Sequence, residues 1–412
     1  MFRKISLSNF KSFKRMDFNL TEGNVGKANN LALVYGANGS GKSSLVDSVV
    51  FLKLSTDTLI RDGTEPDLID MACSVKNIGS KGNMKLEYHF TNGSEDGEYL
   101  MEFNDEGMLV REKLDYTINK NAGNIFELIY ENGNISDFYS RQLFKNSAAK
   151  DIVEYEVRKQ WGHNTFLSII KSEMAEADPA YLDSMLGTGL KNVIRYIDSI
   201  IVCRPGYESM GPRAIDRSPE AGIVTSEEAA DLKPFEEVAS AFVRSMYDGV
   251  ADLRYEISEE DGEVVYEMTV GKQDGSMIRL DDECQGMRET VRDRPGLLAG
   301  AGKGVAFLDN IEFGLHEVVL NSIFNSSLSN AGGQIVATTH DTVILENANP
   351  HSIFMAKEGK IIPITEIERT QRNHNNRNRY FKGVFGAIPE PKPEDLSELA
   401  YKYGQRASTN II

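Results

Sequence analysis

An eight-residue segment, GANGSGKS at residues 36–43, constrains this chain more than any other feature. It matches the pattern G-x-x-x-x-G-K-[ST] in full, and it joins an apolar run that predicts a buried strand, residues 31–35, to a run that predicts a helix, residues 43–52. Glycines let successive backbone N–H groups turn toward a phosphate at the N-terminus of a helix. A turn that binds nothing would need neither the lysine nor the serine after the last glycine, so the segment predicts a phosphate-binding loop.

The chemistry of this loop points to a nucleoside triphosphate bound with Mg²⁺. The ammonium group of Lys42 suits the β- and γ-phosphates, and the hydroxyl of Ser43 suits Mg²⁺. We therefore expect ATP and Mg²⁺ as ligands. The residues expected to contact the nucleotide are Gly36, Ala37, Asn38, Gly39, Ser40, Gly41, Lys42, Ser43 and Ser44.

Two further apolar runs end in polar side chains far along the chain. Residues 305–309 are typical of a core strand that ends in a Mg²⁺-binding carboxylate, Asp309, and residues 336–340 end in His340. A core strand that merely ends in aspartate is common, and a lone histidine is usually structural. Because α/β folds place ligands at the carboxyl ends of parallel strands, we predict that both side chains lie beside the phosphate loop. Ser43 and Asp309 are then the expected metal ligands.

The overall composition excludes several other classes of protein. The 412 residues are 41% hydrophobic and 26% charged, which is typical of a soluble globular protein, and the formal charge of -17 argues against coating nucleic acid by bulk electrostatics. The three cysteines, Cys73, Cys203 and Cys284, are too few and too scattered for a disulfide framework or a zinc cluster. No run of 18 apolar residues and no signal-peptide core occurs, so a cytoplasmic location without membrane contact is expected.

The pattern along the chain predicts an α/β fold whose central, mostly parallel sheet is formed by the two chain ends. Alternating runs with glycine turns between residues 85 and 117 predict antiparallel hairpins, whereas residues 136–201 have a helical pattern. The expected units are residues 1–130, with the phosphate loop and an antiparallel β subdomain; residues 131–235, a mainly helical insertion with a mobile loop near 203–226; and residues 236–412, which complete the first unit.

These segments resemble ABC/SMC-type ATPases, and more closely the small AAA-type ATPases of bacterial abortive-infection and anti-phage systems, of the AbiL and PARIS kind. The resemblance is carried by residues 1–13, 35–44, 307–316, 338–341 and 379–389, which are similar to the family's first strand, phosphate loop, Asp-Glu-x-Glu-x-Gly-Leu-His segment, switch-histidine loop and C-terminal tail. The middle of the chain matches only in layout. The resemblance implies an ABC-type P-loop fold and ATP hydrolysis.

The resemblance also implies a role. ATPases of this kind self-associate through their nucleotide-binding faces and act as a sensor or scaffold that controls a separately encoded toxic effector, possible effectors including a Toprim-type nuclease. One alternative is a nucleic-acid-processing ATPase of the overcoming-lysogenization or SMC type, but the fused nuclease domain and the heptads of a long coiled coil are both missing from the sequence. Another alternative is a pseudo-ATPase that serves as a structural module.

The sequence departs from the family's pattern directly after Asp309. Family members carry a glutamate there, which polarises the attacking water, whereas this chain has Asn310. An amide orients water but cannot accept its proton. Glu312 would lie on the same face if the strand continued. We therefore expect slow hydrolysis, which Asn310→Glu accelerates and Glu312→Gln changes only modestly. The catalytic candidates are Asp309, Asn310, Glu312 and His340.

A second departure concerns the loop that, in ABC proteins, contacts the γ-phosphate bound to the partner subunit. Residues 282–288 stand where the family's Ser-x-Gly signature is expected, with Cys284 in place of the serine and Gly286 as the expected nucleotide contact. The helix after this loop has a weak pattern because Pro295 follows early. The two departures from the family's pattern, at Asn310 and at Cys284, favour weak or switch-like ATP turnover.

One basic cluster stands out in this acidic chain. It is compatible with a solvated helix face, or with a surface that contacts nucleic acid or an acidic partner protein, although the net charge opposes nucleic acid. Its members are Arg369, Arg372, Arg377, Arg379 and Lys382.

Overall fold

The computed structural model of the chain describes residues 1–22, 26–57, 67–118, 121–176, 185–205, 207, 209–211, 218–260, 262–293, 298, 300, 302–324, 332–369, 374–388 and 396–409. The strands, in chain order, are β1 (Phe2–Phe10), β2 (Phe13–Asn19), β3 (Thr21–Glu22), β4 (Lys27–Ala28), β5 (Leu31–Tyr35), β6 (Met84–Asn92), β7 (Glu95–Phe103), β8 (Leu109–Ile118), β9 (Asn121–Glu131), β10 (Asn134–Tyr139), β11 (Ile200–Cys203), β12 (Ala221–Val224), β13 (Val250–Glu260), β14 (Glu263–Lys272), β15 (Met277–Arg279), β16 (Val305–Leu308), β17 (Gln334–Thr338), β18 (Ile353–Lys357) and β19 (Lys360–Pro363).

Helices separate these strands along the chain. They are α1 (Lys42–Ser55), α2 (Leu68–Val75), α3 (Ser147–Gln160), α4 (Phe166–Glu176), α5 (Thr188–Asp198), α6 (Leu232–Arg244), α7 (Gln285–Asp293), α8 (Glu317–Ile323), α9 (Ile364–Ile367), α10 (Asn376–Phe381) and α11 (Leu396–Thr409). No helix in the described ranges combines the length and the apolar character that crossing a membrane would require.

The central sheet has six strands in the order β11-β16-β17-β5-β18-β19. The first five are mutually parallel, and β19 at the edge is antiparallel to β18. β16 and β17 are buried along their whole length, as parallel strands covered on both faces require. The predicted α/β fold with a mostly parallel sheet built from both chain ends is therefore confirmed, and its order brings the ends of β5, β16 and β17 together.

The edge strand β11 corrects the helical prediction for residues 136–201. Ile200–Cys203 pairs in parallel with β16, so this part of the predicted insertion belongs to the central sheet. A run of four apolar residues between a helix and a loop has no periodicity that distinguishes a buried strand from the end of a helix. The strand was missed for that reason.

A seven-stranded antiparallel sheet, β10-β9-β8-β7-β6-β1-β2, is larger than the subdomain predicted for residues 85–117. The first two strands of the chain join it, and a turn at Asn132 and Gly133, both with positive φ, extends it to Tyr139. The helical segment consequently begins at Ser147, not near residue 131.

A third sheet is formed by residues that come after the helical segment and before β16 in the sequence. It has the order β12-β14-β13, with β15 paired to β14, and it shares a hydrophobic core with α6 and α7. Its strand β12 lies inside the stretch 203–226 that the sequence predicts to be a loop. Residues 206, 208 and 212–217 of that stretch are outside the described ranges.

Helix α1 is packed between the central sheet and the antiparallel sheet. The ring of Phe51 in α1 lies 5.4 Å from that of Phe103 and 6.3 Å from that of Phe10. The buried amide of Gln334 joins the two sheets, because it accepts from Phe2 N at 2.6 Å and donates to Phe2 O at 2.9 Å. The phosphate loop is thus supported by a core that both chain ends build.

Candidate functional site

The loop between β5 and α1 has the backbone that its glycines permit. Gly39 and Gly41 have φ of +78° and +103°, a region that residues with a Cβ rarely adopt. A Cβ on Gly41 would lie 2.6 Å from the Phe13 ring and 2.9 Å from the Ser12 hydroxyl. Helix α1 begins immediately afterwards at Lys42 without a side-chain cap. Since the first N–H groups of a helix have no partners within it, this loop has the form of an anion-binding site.

Lys42 is folded back onto the loop. Its Nζ donates to Gly36 O at 2.8 Å and to Ala37 O at 3.1 Å, and the side chain is buried. Burial lowers the pKa of Lys42, while the carboxylates of Asp309 and Glu312 raise it. The lysine is therefore held by two neutral carbonyls, and the charges nearest to it are those two carboxylates.

The other predicted loop residues surround this lysine. Asn38 and Gly39 are exposed, and Ser40 N donates to Ala37 O at 3.2 Å. Ser44 lies on the outer side of α1, where its hydroxyl accepts from Ser12 Oγ at 2.9 Å. The loop residues are thus contiguous in space as well as in sequence.

Ser43 and Asp309 meet although 266 positions separate them. Ser43 Oγ donates to Asp309 Oδ1 at 3.2 Å, and Thr338 Oγ1 donates to the same oxygen at 2.5 Å. Asp309 is buried and its backbone N–H donates to Cys203 O at 2.9 Å, which fixes it beside β11. A hydroxyl and a carboxylate oxygen are ligands that Mg²⁺ prefers, so this pair fits the predicted metal site.

The chain turns sharply at Asn310. The strand β16 ends at Leu308, and Asn310 has a φ of +49°, which asparagine tolerates better than most residues. Asn310 N donates to Thr338 Oγ1 at 2.9 Å, and Asn310 O accepts from Phe313 N at 2.9 Å. The expectation that Glu312 lies further along a continuing strand is wrong, because no strand continues past Leu308.

The turn brings Glu312 to the loop that follows β17. Its Oε2 accepts from Thr339 Oγ1 at 2.7 Å, and its Oε1 accepts from His340 N at 2.9 Å. The imidazole of His340 is exposed, and its pKa is lowered by partial burial first and by Lys42 second. Lys42, Asp309, Glu312 and His340 therefore share one electrostatic environment.

Gly286, the predicted nucleotide contact of the signature-like loop, is packed against its own chain. A Cβ on Gly286 would lie 2.4 Å from Gly314 O, and one on Gly314 would lie 2.7 Å from Gly286 Cα. Gly286 is the second residue of helix α7, which extends from Gln285 to Asp293, although a weak helix was predicted there. Pro295 is outside the described residues. The start of α7 and the turn after Asp309 are thus in close backbone contact.

Sequence reasoning missed a charged cluster next to the phosphate loop. Asp47 is buried in the second turn of α1 and forms two ion pairs. Its Oδ1 lies 2.9 Å from Arg204 Nη1, and its Oδ2 lies 2.5 Å from Lys11 Nζ. Arg204 directly follows β11, and it lines a small cavity of about 20 Å³ together with Asp309. Arg204 directly follows an apolar run, Ile200–Cys203. Had that run been predicted as a strand of the central sheet, Arg204 would have been expected at the strand end beside the site.

The described members of the basic cluster differ in exposure and in their contacts within the chain. Arg369 and Lys382 are exposed, whereas Arg377 forms an ion pair with Glu346 at 3.1 Å. Arg379 contacts His374 Nδ1 at 3.3 Å and Arg369 O at 3.4 Å. Arg372 is outside the described residues. The described members therefore do not form one continuous cationic surface.

A further group of potential metal ligands lies on the antiparallel sheet. His89 Nε2 is 2.7 Å from Glu87 Oε1, and its Nδ1 is 3.4 Å from Glu98 Oε2. Hydrogen bonding by His89 is the main reason why the pKa of Glu87 falls to about 2. Since the two ring nitrogens face different carboxylates and Lys85 also pairs with Glu87, this group has the geometry of an ion-pair network.

In comparison with known proteins, part of the chain matches one family model. Residues 4–189 match the family model of an AAA domain, which includes the phosphate loop and covers less than half of the chain. No curated protein matches the chain significantly. Among solved structures, the SMC head domain from Thermotoga maritima is similar over 88% of this chain and 98% of its own, with 14% sequence identity and a TM-score of 0.37. The family match supports an ATPase domain in the N-terminal part of the chain.

Proposed function

We propose that this protein binds ATP with Mg²⁺ at the phosphate loop and hydrolyses it slowly. The observation that carries the proposal is the contact between Ser43 Oγ and Asp309 Oδ1, which joins the two halves of a nucleotide site from opposite ends of the chain. Lys42 directly precedes Ser43, and its release from the Gly36 and Ala37 carbonyls would provide an ammonium group for the β- and γ-phosphates. The AAA-domain match covers the same loop.

In this proposal Ser43 and Asp309 hold Mg²⁺. The bound ion would neutralise charge on the phosphate oxygens. Thr338 keeps Asp309 oriented, because its hydroxyl donates to the carboxylate while accepting from Asn310 N. The metal ligand and the turn at Asn310 are thereby linked through one hydroxyl.

We assign the role of general base to Glu312. The residue directly after Asp309, which has this role in the resembled family, is Asn310 here. A carboxylate offers about four acceptor positions, and Thr339 and His340 occupy two of them in Glu312, so it can still accept a proton from water. A glutamate at position 310 would have to adopt the left-handed conformation, which costs about 1–2 kcal/mol for most residues. This proposal replaces both expectations from the sequence, namely that Asn310→Glu accelerates hydrolysis and that Glu312→Gln changes it only modestly.

The biological part of the proposal is self-association through the nucleotide-binding faces and control of a separate effector in anti-phage defence. Its support is the resemblance of residues 307–316 and 379–389 to ATPases of that kind. The structure adds one consistent feature, because the Gly286–Gly314 contact holds the signature-like segment against the segment that carries Asp309 and Glu312.

Phosphate release and ATP affinity in Glu312→Gln test the catalytic assignment. We expect ATP affinity within threefold of the unmodified protein and hydrolysis slower by about 100-fold or more, the usual effect of losing a general base. Glu317→Gln is the matched control, since it makes the same chemical change at an exposed position five residues later. Equal hydrolysis in the two variants would contradict the role of Glu312.

A pseudo-ATPase remains the second candidate, and Asn310 is the observation that favours it. An amide at this position cannot take the proton of water. The same assay separates the candidates, because a pseudo-ATPase would bind ATP in a Lys42-dependent manner and release no phosphate even with a partner protein added.

A further inference from the structure

Residues 374–388, here called the C-terminal arm, pack against two segments of the nucleotide site. The arm consists of α10 and the turns that follow it, and its buried side chains Tyr380, Phe385 and Ala387 join the core under the central sheet. The ring of Tyr380 lies 6.3 Å from that of Tyr35, which is fully buried. Tyr35 is the last residue of β5 and directly precedes Gly36. The arm therefore touches the strand end that leads into the phosphate loop.

The arm also holds the loop that follows β17. Arg377 Nε donates to Thr342 Oγ1 at 3.3 Å, and Arg377 Nη1 pairs with Glu346 Oε1 at 3.1 Å. Thr342 lies two residues after His340. The loop is thus held at one end by Glu312, through His340 N, and further along by the contacts of the Arg377 guanidinium group with the Thr342 and Glu346 side chains.

Three polar atoms lie where these segments meet. Among the described residues, Tyr35 OH, Asp341 Oδ2 and Asn376 Oδ1 are buried without a hydrogen-bond partner. They belong to the strand end, to the loop after β17 and to the arm. Since buried polar atoms are usually paired, hydrogen bonding is incomplete at the junction of these three segments.

We propose that the C-terminal arm positions the nucleotide site, with Arg377 and Tyr380 as its positioning residues. Arg377 keeps the backbone around His340 in place, and Tyr380 supports the entry to the phosphate loop. The inference rests on the proposed ATPase function, and it gives Arg377 a task inside the molecule instead of a contact with nucleic acid. A partner that binds the exposed side of α10, where Phe381 and Lys382 lie, would act on the same loop.

The chain offers a matched control on the same helix. Arg379 contacts His374, the backbone oxygen of Arg369 and the Phe385 ring, whose centroid is 5.2 Å from the guanidinium carbon. Arg377→Gln and Arg379→Gln remove the same charge from positions two residues apart in α10. Only the first removes the contacts with Thr342 and Glu346.

Steady-state ATP hydrolysis should separate these two variants. We expect Arg377→Gln to lower kcat by about tenfold, as for the loss of a charged hydrogen bond, with KM for ATP unchanged within twofold, while Arg379→Gln stays within twofold in both constants. Arg377→Lys should recover part of kcat because it retains a charge opposite Glu346. Equal kcat in the two glutamine variants, or a change confined to KM, would overturn the proposal.

Hydrogen exchange measured without nucleotide tests the arm independently of hydrolysis. Arg377→Gln, and Thr342→Val as a second variant that leaves α10 intact, should speed exchange in peptides that cover residues 340–346, and Arg379→Gln should not. Unchanged exchange in Thr342→Val and Arg377→Gln would refute the positioning role even if the protein hydrolyses ATP. Conversely, absence of ATP binding and hydrolysis in the unmodified protein would refute the proposed function and leave the exchange result standing.

Discussion

The carboxyl group of Glu112 should make this protein less stable as pH rises from about 4.5 to about 7. Glu112 lies in β8 and is fully buried. Its oxygens accept from Tyr99 OH at 2.7 Å, from Trp161 Nε1 at 2.8 Å and from Phe166 N at 2.6 Å, where α4 begins. Burial raises the pKa of Glu112 from 4.5 to about 7, although these three donors lower it. The residue joins the antiparallel sheet to the helical segment.

The magnitude follows from this pKa. A rise from 4.5 to about 7 corresponds to about 3 kcal/mol between the two protonation states. Because the folded state binds the proton more tightly than the unfolded state, the contribution of Glu112 is fully present below pH 4.5 and is lost as pH rises through 7. The free energy of unfolding attributable to Glu112 should therefore fall by about 3 kcal/mol across this range.

Urea unfolding of the unmodified protein and of Glu112→Gln, between pH 5 and 8, measures this contribution. The glutamine has the same shape but does not ionise, and its NH₂ group would face donors, so we expect the variant to be less stable than the unmodified protein at pH 5. The difference should shrink by about 2–3 kcal/mol by pH 8. Glu131→Gln, an exposed control at the end of β9, should show a constant difference. A constant difference for Glu112→Gln as well would refute the reasoning.

Three other outcomes are expected. Lys42→Ala should abolish ATP binding measured by calorimetry, because it removes the ammonium group from the loop, and unchanged affinity would exclude Lys42 from the site. Gly286→Ala should lower the free energy of unfolding by about 1–3 kcal/mol in urea titrations, since its Cβ would lie 2.4 Å from Gly314 O; an unchanged midpoint would contradict this close contact. ATP with Mg²⁺ should raise the assembled fraction in sedimentation, because a ligand bound between subunits stabilises the complex, and a constant mass at concentrations around dissociation would count against it.

The elements predicted correctly are those whose signal is local. Helix α1 follows from its apolar spacing, β5 from its continuous apolar run, and the hairpins from alternation between turn residues. The missed elements depend on distant partners. Ile200–Cys203 becomes a strand only by pairing with β16. The alternation of Phe2–Phe10 does predict the strand β1, but its place in the antiparallel sheet depends on β6 beside it. No local pattern specifies the partner of a strand.

The candidate site shows the same division. The phosphate loop is contiguous, so the sequence predicts it whole, and the positions of Asp309 and His340 follow from strand ends. The cluster of Asp47, Arg204 and Lys11 joins three separate segments, and no spacing rule indicates it. Sequence reasoning therefore found the groups that we propose to hold phosphate and metal, and missed the charges that fix α1 against the end of β11.

Asn310 shows how one residue type can alter a site without contributing to its chemistry. Considered only as a replacement for glutamate, it predicts a lost base. In the structure its φ of +49° ends the strand at Leu308 and turns the chain so that Glu312 reaches Thr339 and His340 N. A continued β-strand would instead have placed Glu312 about 6–7 Å beyond position 310. Position 310 thus lacks a carboxylate and lies in the turn that brings the carboxylate of Glu312 to the loop beside Lys42, so the loss of one potential base and the placement of another occur at the same turn.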